Sequence, residues 1–276
     1  MSVDQSAYLE KLIESYYEYG IRKADTPATP NQPLKPPVES EVKSDFPYSS
    51  LVGSLLWMTK TRPDIAFAVS QCARYNSNHT TYHNTAALQV LGYLAKNPSL
   101  GLVYKKNCHE KSTIPIHLGI YADASWADDI SNRCSSFGYT TMFFDSPISW
   151  RSKKMSDVAT SSAEAEYIAY FEAGKEAFFL TNLLADMNLK FESPIPIHGD
   201  SVTAISMVRN DKYSHRTKHI DIRYHLVCQY HVSKILEMNK VNSKDNTADI
   251  FTKPLPAAMY NVHRDSLVRA IKSENH

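Results

Sequence analysis

An α/β layered domain preceded by a small helical region is the architecture that this 276-residue sequence predicts. Three observations carry it. Apolar residues recur with a period near 3.6 from Tyr48 to Tyr104 and with a period near 2 past Lys106. Beyond that change the segments run as three strands, a helix, a strand, helices, a strand and a helix, the order of an α/β layer. The Asp145-Ser146-Pro147 turn is too short for a crossover, so the first three strands are antiparallel.

Taken in order, Gln5 to Tyr19 places Tyr8, Leu12, Tyr16 and Tyr19 at helical spacing, a short amphipathic helix that must dock on something. Thr26 to Pro47 holds six of the fourteen prolines and predicts an extended linker. Leu51, Leu55 and Met58, then Ile65, Ala68, Val69 and Cys72, then Ala87, Val90, Leu91 and Leu94 mark helices, with Pro63 favouring the first turn of a new one. Strands follow at Ile116 to Ile120, Phe137 to Phe143 and Ile148 to Trp150, and a long helix runs from about Ser162 to Met187. A fourth strand is Ile195 to His198, helices fill Thr203 to His231, a fifth strand lies near Ile235 to Val241, and helix returns from Asn246.

Composition excludes several classes. Apolar residues make up 43%, ample for a core, while 30 basic against 29 acidic residues leave a net charge of +1, so any surface for nucleic acid must be local. Glycine is scarce, 8 residues, and no G-x-G-x-x-G or P-loop pattern occurs, which disfavours dinucleotide folds and P-loop ATPases. The four cysteines form no C-x-x-C pair, so zinc knuckles and redox motifs are excluded and a reducing compartment is expected. No apolar run is long enough to span a membrane.

Four acids stand where strands end or helices begin. Asp123 follows the strand Ile116 to Ala122, Glu166 lies in the first turns of the long helix, Asp200 ends the fourth strand, and Asp249 enters the helix after the fifth. Each taken alone is a candidate cap or dipole partner. Converging on one pocket, they would repel unless cations neutralise them, and oxygen ligands without a His/Cys cluster select Mg²⁺ or Mn²⁺. Two such ions about 4 Å apart would serve an in-line phosphodiester displacement.

The segments Tyr-Ala-Asp-Ala-Ser-Trp-Ala (121–127), Ile-Ser-Trp-Arg-Ser-Lys-Lys (148–154), Ser-Ser-Ala-Glu-Ala-Glu-Tyr (161–167), Arg-Thr-Lys-His-Ile-Asp-Ile-Arg-Tyr-His (216–225) and Ala-Asp-Ile-Phe-Thr-Lys-Pro-Leu (248–255) closely resemble the ribonuclease H domain of copia-type LTR retrotransposon polyproteins. Upstream, Tyr48-Ser-Ser-Leu-Val-Gly-Ser-Leu-Leu-Trp and Thr61-Arg-Pro-Asp-Ile-Ala-Phe-Ala-Val look like the segment joining the reverse transcriptase palm to that domain. The resemblance covers nearly the whole chain. It implies a ribonuclease H-like domain with a five-stranded mixed sheet, and a division into an N-terminal helix (1–25), a proline-rich linker (26–47), a helical connection or thumb-like region (48–106) and the ribonuclease H-like domain (107–276). It also implies that the chain is a C-terminal fragment of the polyprotein without a polymerase palm.

The metal-binding acids of that family would fall on Asp123, Glu166, Asp200 and Asp249, with two Mg²⁺ ions, Mn²⁺ serving as well. Glu166 is preferred to Glu164 because Ala-Glu-Tyr-Ile-Ala resembles the Ala-Glu-Leu-Ile-Ala form of ribonuclease H domains. The sequence departs from the family's usual residues at Asp128, Phe137, Met155 and Ser201, none of which is an expected ligand. Implied partners are an RNA–DNA hybrid and the palm and fingers portion of the polyprotein; the implied location is the cytoplasm, in a virus-like particle, or the nucleus.

Two basic clusters, Arg151, Lys153 and Lys154, and Arg216, Lys218 and Arg223, are candidates to hold hybrid phosphates without reading sequence. Two readings stand against hybrid hydrolysis. One is a nucleic-acid-binding or scaffold remnant that no longer cleaves. The other is an integrase or resolvase, in which the essential glutamate comes late in the fold rather than at the start of the first long helix.

Overall fold

The computed structural model describes residues 1–37, 45–104, 116–209 and 221–271, the side chains of 221–224 excepted. In chain order, β1 (Ser2–Val3), α1 (Ser6–Ser15), α2 (Tyr48–Met58), α3 (Ala66–Ala73), α4 (Thr81–Lys96) and β2 (Leu100–Val103) come first. Next are β3 (Leu118–Ser125), β4 (Ser136–Phe143), β5 (Ser146–Lys154), α5 (Ser162–Asp186), β6 (Ile195–Gly199), α6 (Val202–Arg209), α7 (Asp221–Val232) and β7 (Leu236–Lys240). The chain closes with α8 (Ala257–Leu267) and β8 (Arg269–Ala270). These elements form two compact units: Met1–Lys105 with Asp129–Asn132 and Lys253–His276, and Lys106–Asp128 with Arg133–Thr252.

The second unit is built on a five-stranded sheet of order β5-β4-β3-β6-β7. Its β3–β4 and β4–β5 pairs are antiparallel and its β3–β6 and β6–β7 pairs parallel, the mixed ribonuclease H-like arrangement that the resemblance implies. Alternation explains the core. Leu118, Ile120 and Ala122 of β3, Tyr139 of β4, Ile195 and Ile197 of β6, and Leu236 and Met238 of β7 are buried with α5. Ala165, Ala169, Ala173, Gly174 and Ala177 are among the buried residues of α5, and small side chains there let the helix lie close to the sheet. The β4–β5 turn is Phe144-Asp145, one step before the expected Asp145-Ser146-Pro147, with Phe144 in the left-handed region at φ 49°. Pro147 falls on β5, an edge strand, opposite Met142 where the register shifts, a position that tolerates a missing N–H.

In the first unit α2, α3 and α4 pack on one another through the apolar positions that the 3.6 period marks, with Leu51, Leu55, Val69, Val90 and Leu94 almost fully buried. Three features differ from expectation. The helical pattern ends at Lys96, because Asn97-Pro98 cannot continue it, and Leu100–Val103 is a strand pairing with β1 and β8. Residues 26–37 are neither extended throughout nor free, with bends at 26–28, a turn at 30–31 where Asn31 is left-handed at φ 58°, and docking contacts: Thr26 and Pro27 are buried, Tyr75 Oη donates to Leu34 O at 3.2 Å, and Gln89 Nε2 donates to Thr26 O at 3.2 Å. Finally, Lys253–His276 clusters with the first unit, whereas the sequence division runs the ribonuclease H-like domain to residue 276. Pro254 and Pro256 interrupt the helix expected from Asn246 and leave a 3₁₀ turn, Thr247–Phe251, separate from α8.

Candidate active site

Strand register sets two of the acids side by side. In the parallel β3–β6 pair Tyr121 stands opposite His198, so Asp123 and Asp200, each two residues further on, reach the same level of neighbouring chains. Their separation from those partners is even, so alternation sends both side chains to the same face. Asp123 is fully buried and Asp200 half-buried.

Glu166 comes from α5, and the helix start decides which glutamate is presented. Ser161 is the N-cap, its hydroxyl accepting from Glu164 N at 3.2 Å. Glu164 Oε2 in turn accepts the Thr160 backbone N–H at 2.7 Å and the Thr160 hydroxyl at 2.5 Å. Glu164 therefore closes a capping arrangement at the exposed helix end. Two residues on, Glu166 is buried, and carboxylate atoms of Asp123, Glu166 and Asp200 all lie within 4.8 Å of one another.

Asp249 does not join that cluster of three. It lies, buried, on the 3₁₀ turn Thr247–Phe251, which is tied to β3 at several points. Asn246, fully buried, accepts from Ala248 N at 3.2 Å and donates through Nδ2 to Ala122 O at 3.0 Å. Thr252 Oγ1 donates to Asp123 Oδ2. The turn also meets the sheet at Gly138, the β4 partner of Asp123, where an added Cβ would stand 2.4 Å from Phe251 Cβ. Ser152 of β5 completes the contact, its hydroxyl donating to Phe251 O at 2.7 Å.

Tyr170 and Thr252 are site residues that sequence pattern does not single out. Tyr170 sits one turn after Glu166 on α5, and its phenol oxygen accepts from Ser201 N at 3.3 Å, beside Asp200. Gly199 makes room for it: a Cβ there would come within 2.3 Å of the phenol oxygen. Burial, and then the charge of Glu166, push the Tyr170 phenol well above its usual pKa, with Asp200 and Asp123 adding to the shift. It thus stays protonated beside the acids. The available signals are local ones, a tyrosine four residues after Glu166 and a threonine three after Asp249.

Of the expected phosphate contacts, Arg151, Lys153 and Lys154 lie on β5, the edge strand. Ser152 pairs with Gly138, which pairs with Asp123, so Arg151 and Lys153 flank a row that reaches the acid across two strand spacings, roughly 10 Å. Arg151 and Lys153 are exposed, and Arg151 Nη1 stands 3.9 Å from Glu172 Oε2, an ion pair that solvent weakens. Arg216 and Lys218 lie outside the described residues, as does the side chain of Arg223.

The three gathered donors are all carboxylates, hard oxygen ligands that suit a divalent cation of the Mg²⁺ or Mn²⁺ type. Three negative charges within 4.8 Å repel by roughly 3 kcal/mol per ionised pair at an effective dielectric near 20, so protons or a cation must balance them.

No family model matches the chain. It is 36% identical over 261 residues, 92% of its length, to a retrovirus-related Pol polyprotein from the transposon TNT 1-94 of Nicotiana tabacum. It is 32% identical over 255 residues, again 92%, to the retrovirus-related Pol polyprotein from the transposon RE1 of Arabidopsis thaliana. It spans 19% and 17% of those two proteins, less than a fifth of either. Among solved structures it is similar to LC11-RNase H1 in complex with an RNA/DNA hybrid, at 12% identity and a TM-score of 0.38, over 50% of this chain and 95% of that one. Strand order and pairing, not that last likeness, carry the fold.

Proposed function

The chain belongs to the retrovirus-related Pol family of copia-type transposons, and we propose that its ribonuclease H-like domain hydrolyses the RNA strand of RNA–DNA hybrids, with two divalent ions, Mg²⁺ or Mn²⁺, held by Asp123, Glu166, Asp200 and Asp249. The observation that carries this is the convergence of three carboxylates, one within β3, one just past the end of β6 and one near the start of α5. Ions bound there supply charge neutralisation and an activated water for in-line displacement.

The chain's own residues supply the rest in this reading. Asp123 stands on β3 and Asp200 directly follows β6, the strand paired with it, so their spacing resists change, while Glu166 is carried by a helix packed on the same sheet. Asp249 belongs to the set through its turn, which hydrogen bonds to β3 brace beside Asp123. Tyr170, kept protonated, orders the backbone next to Asp200. Arg151 and Lys153 hold phosphates by charge alone, which suits a duplex recognised by shape. Lys154, Arg216, Lys218 and Arg223 extend that surface in the proposal, and the polymerase portion of the same polyprotein is its natural neighbour.

The competing reading, a module that binds nucleic acid without cleaving it, draws on one observation, that Asp249 stands outside the three-carboxylate cluster. An assay of the purified chain on end-labelled RNA–DNA hybrid, with single-stranded RNA and duplex DNA beside it, separates the two. Cleavage of the RNA strand that needs added Mg²⁺ or Mn²⁺ is the expected result. Binding without cleavage at any concentration of either ion would favour the competing reading.

The basic residues predict a salt effect. Each phosphate-binding cation removed should flatten the slope of log affinity against log salt by about 0.7 to 0.9, so the double variant Arg151→Ala/Lys153→Ala should lose roughly one to two units of slope and bind more weakly at low salt. Filter binding at several salt concentrations measures this. An unchanged slope would make the β5 cluster an ordinary solvated edge.

A further inference from the structure

We propose that Thr252 is a positioning residue, which fixes the Asp123 carboxylate for ion binding; this deepens the metal reading above and rests on it. Thr252 is 1% exposed, and its hydroxyl reaches two acceptors, Asp249 O at 3.2 Å and Asp123 Oδ2. A hydroxyl has one proton to give. The Asp249 carbonyl already receives the Thr252 backbone N–H at 3.1 Å, and an ionised carboxylate is the stronger acceptor, so the proton goes to Asp123.

Three consequences follow from that direction. A donor on one carboxylate oxygen stops rotation about the Cβ–Cγ bond and commits the lone pairs of the other oxygen in space, as outer-sphere partners of ligating carboxylates do. The hydroxyl also gives a hydrogen-bond donor to a carboxylate that the sheet buries completely. And because Thr252 closes the turn that carries Asp249, one backbone segment both presents an acid and orients another 129 residues away in sequence. Threonine suits the task better than serine, since its branched Cβ restricts χ1 and holds the hydroxyl on target.

The test is Mn²⁺ binding to the full chain by calorimetry or electron paramagnetic resonance, which requires no turnover. Thr252→Val keeps the shape and removes the donor; it should weaken Mn²⁺ binding about 10-fold or more, while Thr252→Ser stays within about threefold of the parent. Melting curves in EDTA check folding, and Thr252→Ala replaces the valine variant if that one does not fold. Parent and donorless variant binding Mn²⁺ equally would overturn the role of Thr252 and leave the metal centre standing. A parent chain that binds no Mn²⁺ would overturn the metal reading and this inference with it.

Discussion

Asp123→Asn should remove the metal-dependent cleavage proposed for the hybrid and leave most of the hybrid affinity in place. Asparagine keeps the shape of the side chain and deletes one of three charges that lie within 4.8 Å of one another. Outer-sphere changes at metal sites already cost about 10–100-fold, so loss of a buried ligand should cost at least that. The phosphate contacts proposed for β5 do not involve Asp123, which is why affinity should survive. In EDTA the variant should melt no lower than the parent, because the substitution relieves like-charge repulsion in a buried cluster. Glu164→Gln is the matched control: its carboxylate caps α5 at the exposed helix start, so cleavage should stay near the parent's level. Single-turnover cleavage and filter binding on the same preparations check all of this. Retained cleavage by Asp123→Asn, or loss in Glu164→Gln with retention in Glu166→Gln, would place the chemistry elsewhere.

The parts of this site that can be read from the sequence are those specified by local pattern. Period-2 alternation marks the strand that carries Asp123, although β3 runs on to Ser125 rather than ending at Ala122, and the strand that ends just before Asp200, while Ser-Ser-Ala-Glu marks a helix start. Once the strands are known to be parallel neighbours, the even spacing from Tyr121 and His198 brings Asp123 and Asp200 together. Thr252 and Tyr170 are not legible because their roles depend on hydrogen bonds closed over long loops, which no window of sequence contains. Likewise β1, β2 and β8 are two to four residues long, too short for any period to register. The proline run reads as extended, but its composition does not announce that it docks. Proline removes N–H donors and keeps carbonyls, and carbonyls of this segment serve as acceptors: His83 Nδ1 accepts from Thr80 N at 3.1 Å, so its Nε2 carries the proton and donates to Lys35 O at 2.9 Å.

In the first unit, Asp64→Ala should cost about 3–5 kcal/mol, the loss expected when one partner of a buried ion pair is removed. Against a total stability of about 5–15 kcal/mol, such a loss removes a large part of the margin that keeps the chain folded. The Thr61-Arg62-Pro63-Asp64 segment folds back so that Arg62 Nε and Nη2 meet Asp64 Oδ1 and Oδ2 at 2.9 and 2.8 Å, with both residues at most 2% exposed. Burial pulls the Arg62 pKa down, but the Asp64 charge and hydrogen bonds outweigh it and hold the guanidinium charged. Tyr93 Oη donates to Asp64 Oδ2 at 2.6 Å, Tyr260 Oη donates to Asp64 O at 3.1 Å, and Arg62 Nη1 donates to Asn97 O at 3.0 Å. Deleting Asp64 would strand a buried cation among these groups. Arg62→Met/Asp64→Leu removes both charges and should be milder than Asp64→Ala alone, and Tyr260→Phe, which loses the hydrogen bond to Asp64 O, should cost about 1 kcal/mol. Urea unfolding of the full chain ranks the three; a double variant as damaged as the single one would show that shape rather than charge holds the segment. The hydrogen bond from Tyr260 spans 196 residues. The unit that begins at Met1 is therefore completed only by α8, so removing residues after Thr252 should weaken the Arg62–Asp64 network as well as delete a helix.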